Sequence, residues 1–159
     1  MGIAKQIKTL CFQLGTFVGE NQDFQRKASV IEQEFELCEN SSKVISEANR
    51  AQLNRVLHST RAFDSGLRLF IEKQGRFRNI ATPSIGGYVY ELQQKRPGQT
   101  FKQLSGMDAT NITNLITNER NRYMHAAGQF PTKAQADIIV GKILDYTSVR
   151  DNELYLKAL

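Results

Sequence analysis

Apolar residues recur at intervals of three and four along most of this chain, which is the spacing of amphipathic α-helices. The clearest example is a segment from about Glu47 to Lys73. Its apolar stripe consists of Leu53, Val56, Leu57, Thr60, Phe63, Leu67, Phe70 and Ile71. The opposite side carries Arg55, His58, Arg61, Asp64, Ser65, Arg68 and Glu72. We therefore predict one long helix with a buried face and a polar face.

Two stretches with the same spacing precede this segment. We predict a first helix over Ile3 to Phe17 and a second over about Gln22 to Leu37. The run Asn40-Ser41-Ser42 is typical of a loop and predicts the end of the second helix. The inner side of that helix is expected to carry Phe24, Ala28, Ile31, Phe35 and Leu37.

Capping residues mark the helices of the second half. Thr82 followed by Pro83 predicts a helix start, and that helix is expected to continue to Lys95 although Gly86-Gly87 inside it costs stability. Asp108 is expected to cap a helix over about 108–127, with Gly128 as its stop.

Thr132 and Gln135 form a capping-box pair that opens a final helix over about 132–156. Its inner face is expected to hold Ala136, Ile139, Val140, Ile143, Leu144 and Tyr146. No segment shows the two-residue alternation of a half-buried strand. The fold prediction is all-α, a compact bundle of about five to six helices in a single domain over residues 1–159.

Composition narrows the function classes. No apolar run approaches the ~20 residues of a membrane-spanning helix, and the first residues do not resemble a secretory signal, so we expect a cytoplasmic protein without a membrane partner. Cys11 and Cys38 suit neither a disulfide framework nor a metal site. We expect no metal and no cofactor.

The net charge of +5 favours a polyanionic partner such as RNA, although an ordinary basic surface explains it equally well.

The candidate chemistry lies near the end of the predicted 108–127 helix, at Arg120, Asn121 and His125. Asn121 and His125 share a helix face, whereas Arg120 and His125 diverge by about 140° on an ideal helix. Two arrangements would bring arginine and histidine together: a helix distorted near Gly128, or two copies of the chain that face each other as a homodimer.

These residue types suit cleavage of RNA without a metal. Histidine exchanges protons near neutral pH, arginine presents a fixed positive fork to phosphate oxygens, and asparagine can orient either the imidazole or the substrate. Together they would move a ribose 2′-hydroxyl onto the adjacent phosphate. The competing interpretation is a solvated helix end with no chemistry.

The segment RNRYMHAAG, Arg120 to Gly128, resembles the RNxxxH motif of HEPN domains (higher eukaryotes and prokaryotes nucleotide-binding). The resemblance implies a helical bundle and a metal-independent endoribonuclease, in which Arg120 and His125 act across a homodimer beside Asn121. It also implies a toxin or anti-phage defence effector, with an antitoxin or a larger defence complex as possible partner. HEPN toxins controlled by a nucleotidyltransferase carry a tyrosine where this chain has Ala127, so that control is not expected.

Weaker predictions concern other polar residues. As RNA contacts we name Arg122, Arg61, Arg68, Lys73 and Arg76; as supporting carboxylates we name Asp64 and Glu119. For each, an ordinary solvated side chain is the competing interpretation. The function hypotheses are therefore an endoribonuclease or, alternatively, a non-catalytic HEPN-like helical module that binds RNA, nucleotide or protein.

Overall fold

The computed structural model describes residues 2–44, 47–126 and 128–147, without the side chains of 42 and 44, and the backbone of 149–150 and 153–154. Over this part the chain is an all-α bundle, which confirms the predicted fold class. The first helices are α1 (Ile3–Val18), α2 (Gln22–Val44) and α3 (Ala48–Lys73). A short 3₁₀ turn, Phe77–Asn79, follows α3.

The second half begins with α4 (Ile85–Leu92). One continuous helical stretch then consists of α5 (Gly106–Ile112), a π-helical turn (Thr113–Thr117) and α6 (Asn118–His125). The last helix is α7 (Lys133–Thr147), followed by an antiparallel pair of two-residue strands, β1 (Val149–Arg150) and β2 (Glu153–Leu154). If the continuous stretch counts as one, the described residues form six helices, within the predicted number.

Helix α3 is the centre of the bundle and contacts α2, α4, α6 and α7. It is antiparallel to α2, because Lys27 pairs with Glu72 near one end and Glu34 pairs with His58 farther along. Since α3 has neighbours on several sides, some of the residues predicted on its polar face are also covered. Arg55, for example, is only 8% exposed and pairs with Asp137 of α7 at 2.6 Å.

The buried apolar side chains of the helices form one connected core. Phe70 of α3 stacks with Phe17 of α1 at 6.2 Å between ring centroids and meets Phe101 edge-on at 4.9 Å. The predicted inner face of α7 is confirmed, because all six of its named residues are buried. Periodicity therefore identifies the core correctly where a helix has one buried side.

The predicted end of α2 is wrong, since the helix continues through Ser41 to Val44. Ser41 is buried and its hydroxyl donates to the carbonyl of Leu37 at 2.6 Å, so the side chain that favours a loop is satisfied inside the helix. The extension also changes the inner face. Cys38 is buried there, whereas Leu37 is 48% exposed.

The predicted start of α4 at Thr82-Pro83 is also wrong. Ser84 is the N-cap, and its Oγ accepts a hydrogen bond from the Gly87 amide at 3.2 Å. The helix ends at Leu92, before Lys95. Gly87 is needed because a Cβ atom there would overlap the carbonyl oxygen of Thr82, which lies against the first turn.

The stretch from α5 to α6 differs from the prediction at both of its ends. Ser105, and not Asp108, caps α5, and Asp108 instead accepts hydrogen bonds from Ser105 Oγ at 2.5 Å and Tyr146 Oη at 3.1 Å. This buried carboxylate therefore ties α5 to α7. Helix α6 ends at His125, earlier than predicted, and Gly128 with φ 79° belongs to the turn that follows.

The capping box of α7 is confirmed by two reciprocal hydrogen bonds, from the Gln135 amide to Thr132 Oγ1 at 3.2 Å and from the Thr132 amide to Gln135 Oε1 at 2.8 Å. The helix ends at Thr147, so its predicted extent to 156 is wrong. Two-residue strands take the place of its last turns. Among the described residues, no helix has both the length and the apolar character needed to cross a bilayer.

Candidate functional site

An open cleft of about 520 Å³ lies where the middle of α3, the start of α4 and the π turn with α6 meet. It is lined by Thr60, Arg61, Asp64, Ser65, Pro83, Ser84, Ile85, Gly86, Thr117, Arg120 and Asn121. Two residues of the RNxxxH-like segment, Arg120 and Asn121, are therefore brought together with Asp64 and Arg61 of α3. Pockets that combine several polar groups in this way are common ligand sites.

Arg120 and Asn121 form a local pair at one side of the cleft. Arg120 Nη1 donates to Asn121 Oδ1 at 3.0 Å, which leaves the Asn121 amide nitrogen to act as a donor. Arg120 Nε is buried but has no hydrogen-bond partner within the described part of the chain. The Tyr123 hydroxyl of the same helix is a second buried polar atom of the described residues without a partner, but Tyr123 does not line the cleft.

The start of α4 adds polar backbone to the opposite side. Ile85 and Gly86 are the first residues of the helix and both line the cleft. Amide groups of a first helical turn have no partner inside the helix and carry a partial positive charge, which favours an anion nearby. The cleft therefore combines two arginines with a helix N-terminus.

Asp64 is the only carboxylate among the described residues that line the cleft. Burial raises the pKa of its carboxyl above the usual value, and the positive charges of Arg68 and Arg120 offset part of that rise. Within the described part of the chain, Asp64 forms no hydrogen bond or ion pair through its side chain. It is a partly buried acid without a partner in a polar cleft, which is a common property of functional groups.

His125 is exposed and is the last residue of α6. It does not occur among the described residues that line the cleft. Both Arg120 and His125 lie in the regular helix Asn118–His125, so the five-residue separation still directs them about 140° apart. Of the two arrangements considered, a helix distorted between Arg120 and His125 is not seen in the described residues, since the π turn precedes Arg120 and does not change the angle between the two side chains.

A second cluster borders the cleft on α3. Arg61 lies on the rim, 59% exposed, and its Nη2 pairs with Glu34 at 3.0 Å. Glu34 also contacts His58, with 2.8 Å between Oε2 and Nδ1. His58 is therefore a partner of a buried carboxylate and does not belong to the cleft-lining residues among those described.

The other predicted RNA contacts of α3 have protein partners outside the cleft. Arg68 pairs with Glu72 at 2.8 Å and lies over the ring of Phe77 at 4.9 Å. Lys73 lies over the ring of Phe17 at 4.1 Å, and burial lowers its pKa. These contacts give both side chains a role in packing α3 against its neighbours.

Arg76 is a structural residue and not an exposed RNA contact. It is 6% exposed, and each of its three side-chain nitrogens donates to a protein oxygen. Its main partner is Glu91 of α4, at 2.8 Å from Nε to Oε1. The remaining predicted residues are solvent-facing, since Arg122 is 58% exposed and pairs with Glu119 at 3.5 Å across one turn of α6.

Sequence reasoning missed several hydroxyl groups of the cleft, on Thr60, Ser65, Ser84 and Thr117. The signal that could have indicated the α4 side of the cleft is the segment Thr82-Pro83-Ser84 before Gly86-Gly87, where small residues leave backbone accessible.

Ala127, the position of the tyrosine in some HEPN toxins, lies outside the described residues. Among those described, no three histidine, cysteine or acidic side chains are grouped as metal ligands.

Comparison of the chain with protein-family models, with curated proteins and with solved structures finds no match. The functional interpretation therefore depends on the cleft itself and on the resemblance of the segment that begins at Arg120.

Proposed function

We propose that this chain is a metal-independent endoribonuclease of HEPN type that acts in the cytoplasm. The observation that carries the proposal is the position of Arg120, whose side chain lines a polar cleft beside Asn121. A phosphate oxygen in the cleft would give this guanidinium an acceptor, and the guanidinium would then hold a phosphodiester through charged hydrogen bonds.

The proposed reaction is an internal transesterification. The ribose 2′-hydroxyl loses its proton, the 2′-oxygen bonds to the adjacent phosphorus, and the bond from phosphorus to the 5′-oxygen of the next nucleotide breaks. The products are a 2′,3′-cyclic phosphate and a 5′-hydroxyl end, so protons and electrons balance without a further reactant. Arg120 stabilises the charge on the five-coordinate phosphorus, and His125 exchanges a proton with the reacting oxygens.

A homodimer would complete this site. The imidazole of His125 points away from the guanidinium of Arg120 on the same helix, so it is more easily delivered by a second copy. In a two-fold arrangement each cleft would then receive the histidine of the other subunit. When equal amounts of an Arg120→Ala chain and a His125→Ala chain are mixed, about half of the dimers contain one chain of each kind. One of the two sites in each mixed dimer is intact, so the mixture should recover about a quarter of the wild-type rate.

Incubation of the purified protein with total RNA and EDTA tests the activity. Arg120→Ala and His125→Ala are each expected to reduce the cleavage rate by at least about 100-fold with unchanged helical content. Arg50→Ala is the matched control, because this exposed arginine of α3 pairs with exposed Glu47, does not line the cleft and should keep wild-type cleavage. Equal rates for the wild type and both site variants would contradict the proposal.

A non-catalytic role is the second candidate, and the absence of His125 from the described lining of the cleft favours it. A binding module would yield no cleavage in any condition, with RNA, nucleotide or protein binding that survives His125→Ala. If cleavage is found, the HEPN resemblance points to a toxin or anti-phage effector controlled by an antitoxin or a larger defence complex.

A further inference from the structure

We infer that Asp64 is the general base of the cleft: its carboxylate takes the proton of the ribose 2′-hydroxyl, which leaves His125 to protonate the departing 5′-oxygen. This inference rests on the proposed ribonuclease function and assigns a separate group to each of its two proton transfers.

Asp64 combines a position in the cleft with the lack of a protein partner. Several covered acids of the described residues have basic or polar partners: Glu72 pairs with Lys27, Glu91 with two arginines, and Asp108 with Tyr146. Glu32 is partly buried and has no such partner among the described contacts, but it does not line the cleft. Asp64 is partly buried but has no such bond within the described part. A partly buried carboxylate that lines a polar cleft and has no protein partner is available to a ligand.

Asp64 and Arg120, two groups of opposite charge, line the same cleft. Asp64 and Arg120 interact electrostatically, since the charge of Arg120 acts on the Asp64 carboxyl, yet no ion pair joins them among the described contacts. A cleft lined by an acid and a guanidinium that do not pair with each other suits a ligand that has an acidic and a proton-donating group side by side. A ribose 2′-hydroxyl next to its 3′-phosphate has this arrangement.

The two candidate general bases, Asp64 and His125, differ in their position relative to the cleft. His125 is exposed and is not part of the described cleft lining, whereas Asp64 lies on α3 in the middle of it. A general base must reach the proton that it removes, directly or through one water molecule. Asp64 meets this requirement within one chain, and histidine from a second copy can then approach the leaving oxygen from the open side.

The charged and titratable groups around Asp64 set the pH at which it can act. Arg61 and Arg68 lie on its own helix, Arg120 faces it from α6, and Tyr88 is near it on α4. Burial outweighs these arginines and raises the pKa of Asp64. Because a base must be deprotonated, cleavage should decline as the pH falls through a value higher than the ordinary aspartate pKa.

The test compares wild type, Asp64→Asn and Asp64→Glu in single-turnover cleavage of a short RNA between pH 4 and pH 9. Binding is measured in parallel with a 2′-deoxy oligonucleotide of the same sequence. Asp64→Asn should lose about 100-fold or more in cleavage rate and bind the oligonucleotide as tightly as wild type or tighter, because it removes a negative charge. Asp64→Glu should recover part of the rate. Asp23→Asn, an exposed acid that pairs with Lys27 on α2, is the matched control and should behave as wild type.

The possible results separate this inference from the proposed function. If wild type cleaves and Asp64→Asn cleaves within about three-fold of it, the role of Asp64 is overturned while the nuclease remains. An equal loss of binding and cleavage also overturns it, because that indicates a structural role. The pH dependence of wild-type cleavage is a further test that requires no variant. A cleavage rate that stays constant down to pH 4 contradicts the inference. Absence of wild-type cleavage overturns both proposals.

Discussion

The carboxylate of Glu91 holds α4, one wall of the cleft, against the segment that follows α3. Its side chain is only 2% exposed. Oε1 accepts from Arg76 Nε at 2.8 Å, and Oε2 accepts from Arg96 Nη2 at 2.7 Å. Asn79 Nδ2 also donates to Oε1, at 3.1 Å. Replacement by glutamine turns one acceptor into a donor that faces a guanidinium, so Glu91→Gln should destabilise the fold.

The size of this effect follows from the pKa of Glu91. Hydrogen bonds from Arg96 and Arg76 outweigh the effect of burial and lower that pKa from 4.5 to about 2. The corresponding contribution to the free energy of unfolding is roughly 3 kcal/mol. Because the pKa is lowered in the folded chain, the contribution is complete above pH 4.5 and is lost as the pH falls toward 2.

Urea unfolding followed by far-ultraviolet circular dichroism measures this difference. Glu91→Gln should be less stable than wild type by roughly 3 kcal/mol at pH 7, and by only about 1 kcal/mol at pH 2.5. Glu47→Gln is the matched control, since this glutamate is 65% exposed and pairs with exposed Arg50; it should cost less than about 0.5 kcal/mol. A cost for Glu91→Gln that is the same at both pH values would refute the electrostatic reasoning.

The remaining predictions concern the glycine pair of α4 and the two thiols. Gly87→Ala should lower stability by about 1–3 kcal/mol in thermal melts, because the new methyl group overlaps Thr82, and unchanged melting would contradict the packing. Gly86→Ala meets nothing closer than 3.9 Å, so it should fold normally but slow RNA cleavage by narrowing the cleft; faster cleavage would count against the site. Burial raises the pKa of Cys11 and Cys38 to about 11, so a thiol reagent at pH 8 should label Cys38 only after unfolding; rapid labelling of the native protein would disprove this.

Hydrophobic spacing predicted the helices well where each has one buried side. The segment Glu47 to Lys73 corresponds to α3, and the inner face of α7 is buried as expected. The pattern was less informative about the polar side of α3, because several helices pack around it. Arg55 looks solvent-facing in the sequence but pairs with Asp137 of α7, which lies 82 residues later in the chain.

Helix ends were harder to predict because several residues compete for each cap. Ser84 and Ser105 provide the caps in place of Thr82 and Asp108, which lie within three residues of them. Ser41 stays inside α2 although its residue type favours a turn. Local preferences amount to about 1 kcal/mol at such positions, and tertiary packing can override them.

The candidate site was predictable only through the residues of one helix. Arg120 and Asn121 were identified from the motif, and the structure places both in a cleft. Asp64 was a weak prediction because fifty-five residues lie between it and Arg120, and only the packing of α3 against α6 brings the two close together. The π turn before Arg120 has no clear sequence signal, yet it sets which side of α6 faces the cleft.

The most direct test of the central claim is a crystal structure of the His125→Ala variant with a short 2′-O-methyl RNA, which cannot be cleaved. We expect a phosphodiester in the cleft, with a phosphate oxygen about 3 Å from the Arg120 guanidinium and the neighbouring ribose 2′-oxygen beside Asp64. RNA bound to another surface, with no phosphate at Arg120, would refute the proposal.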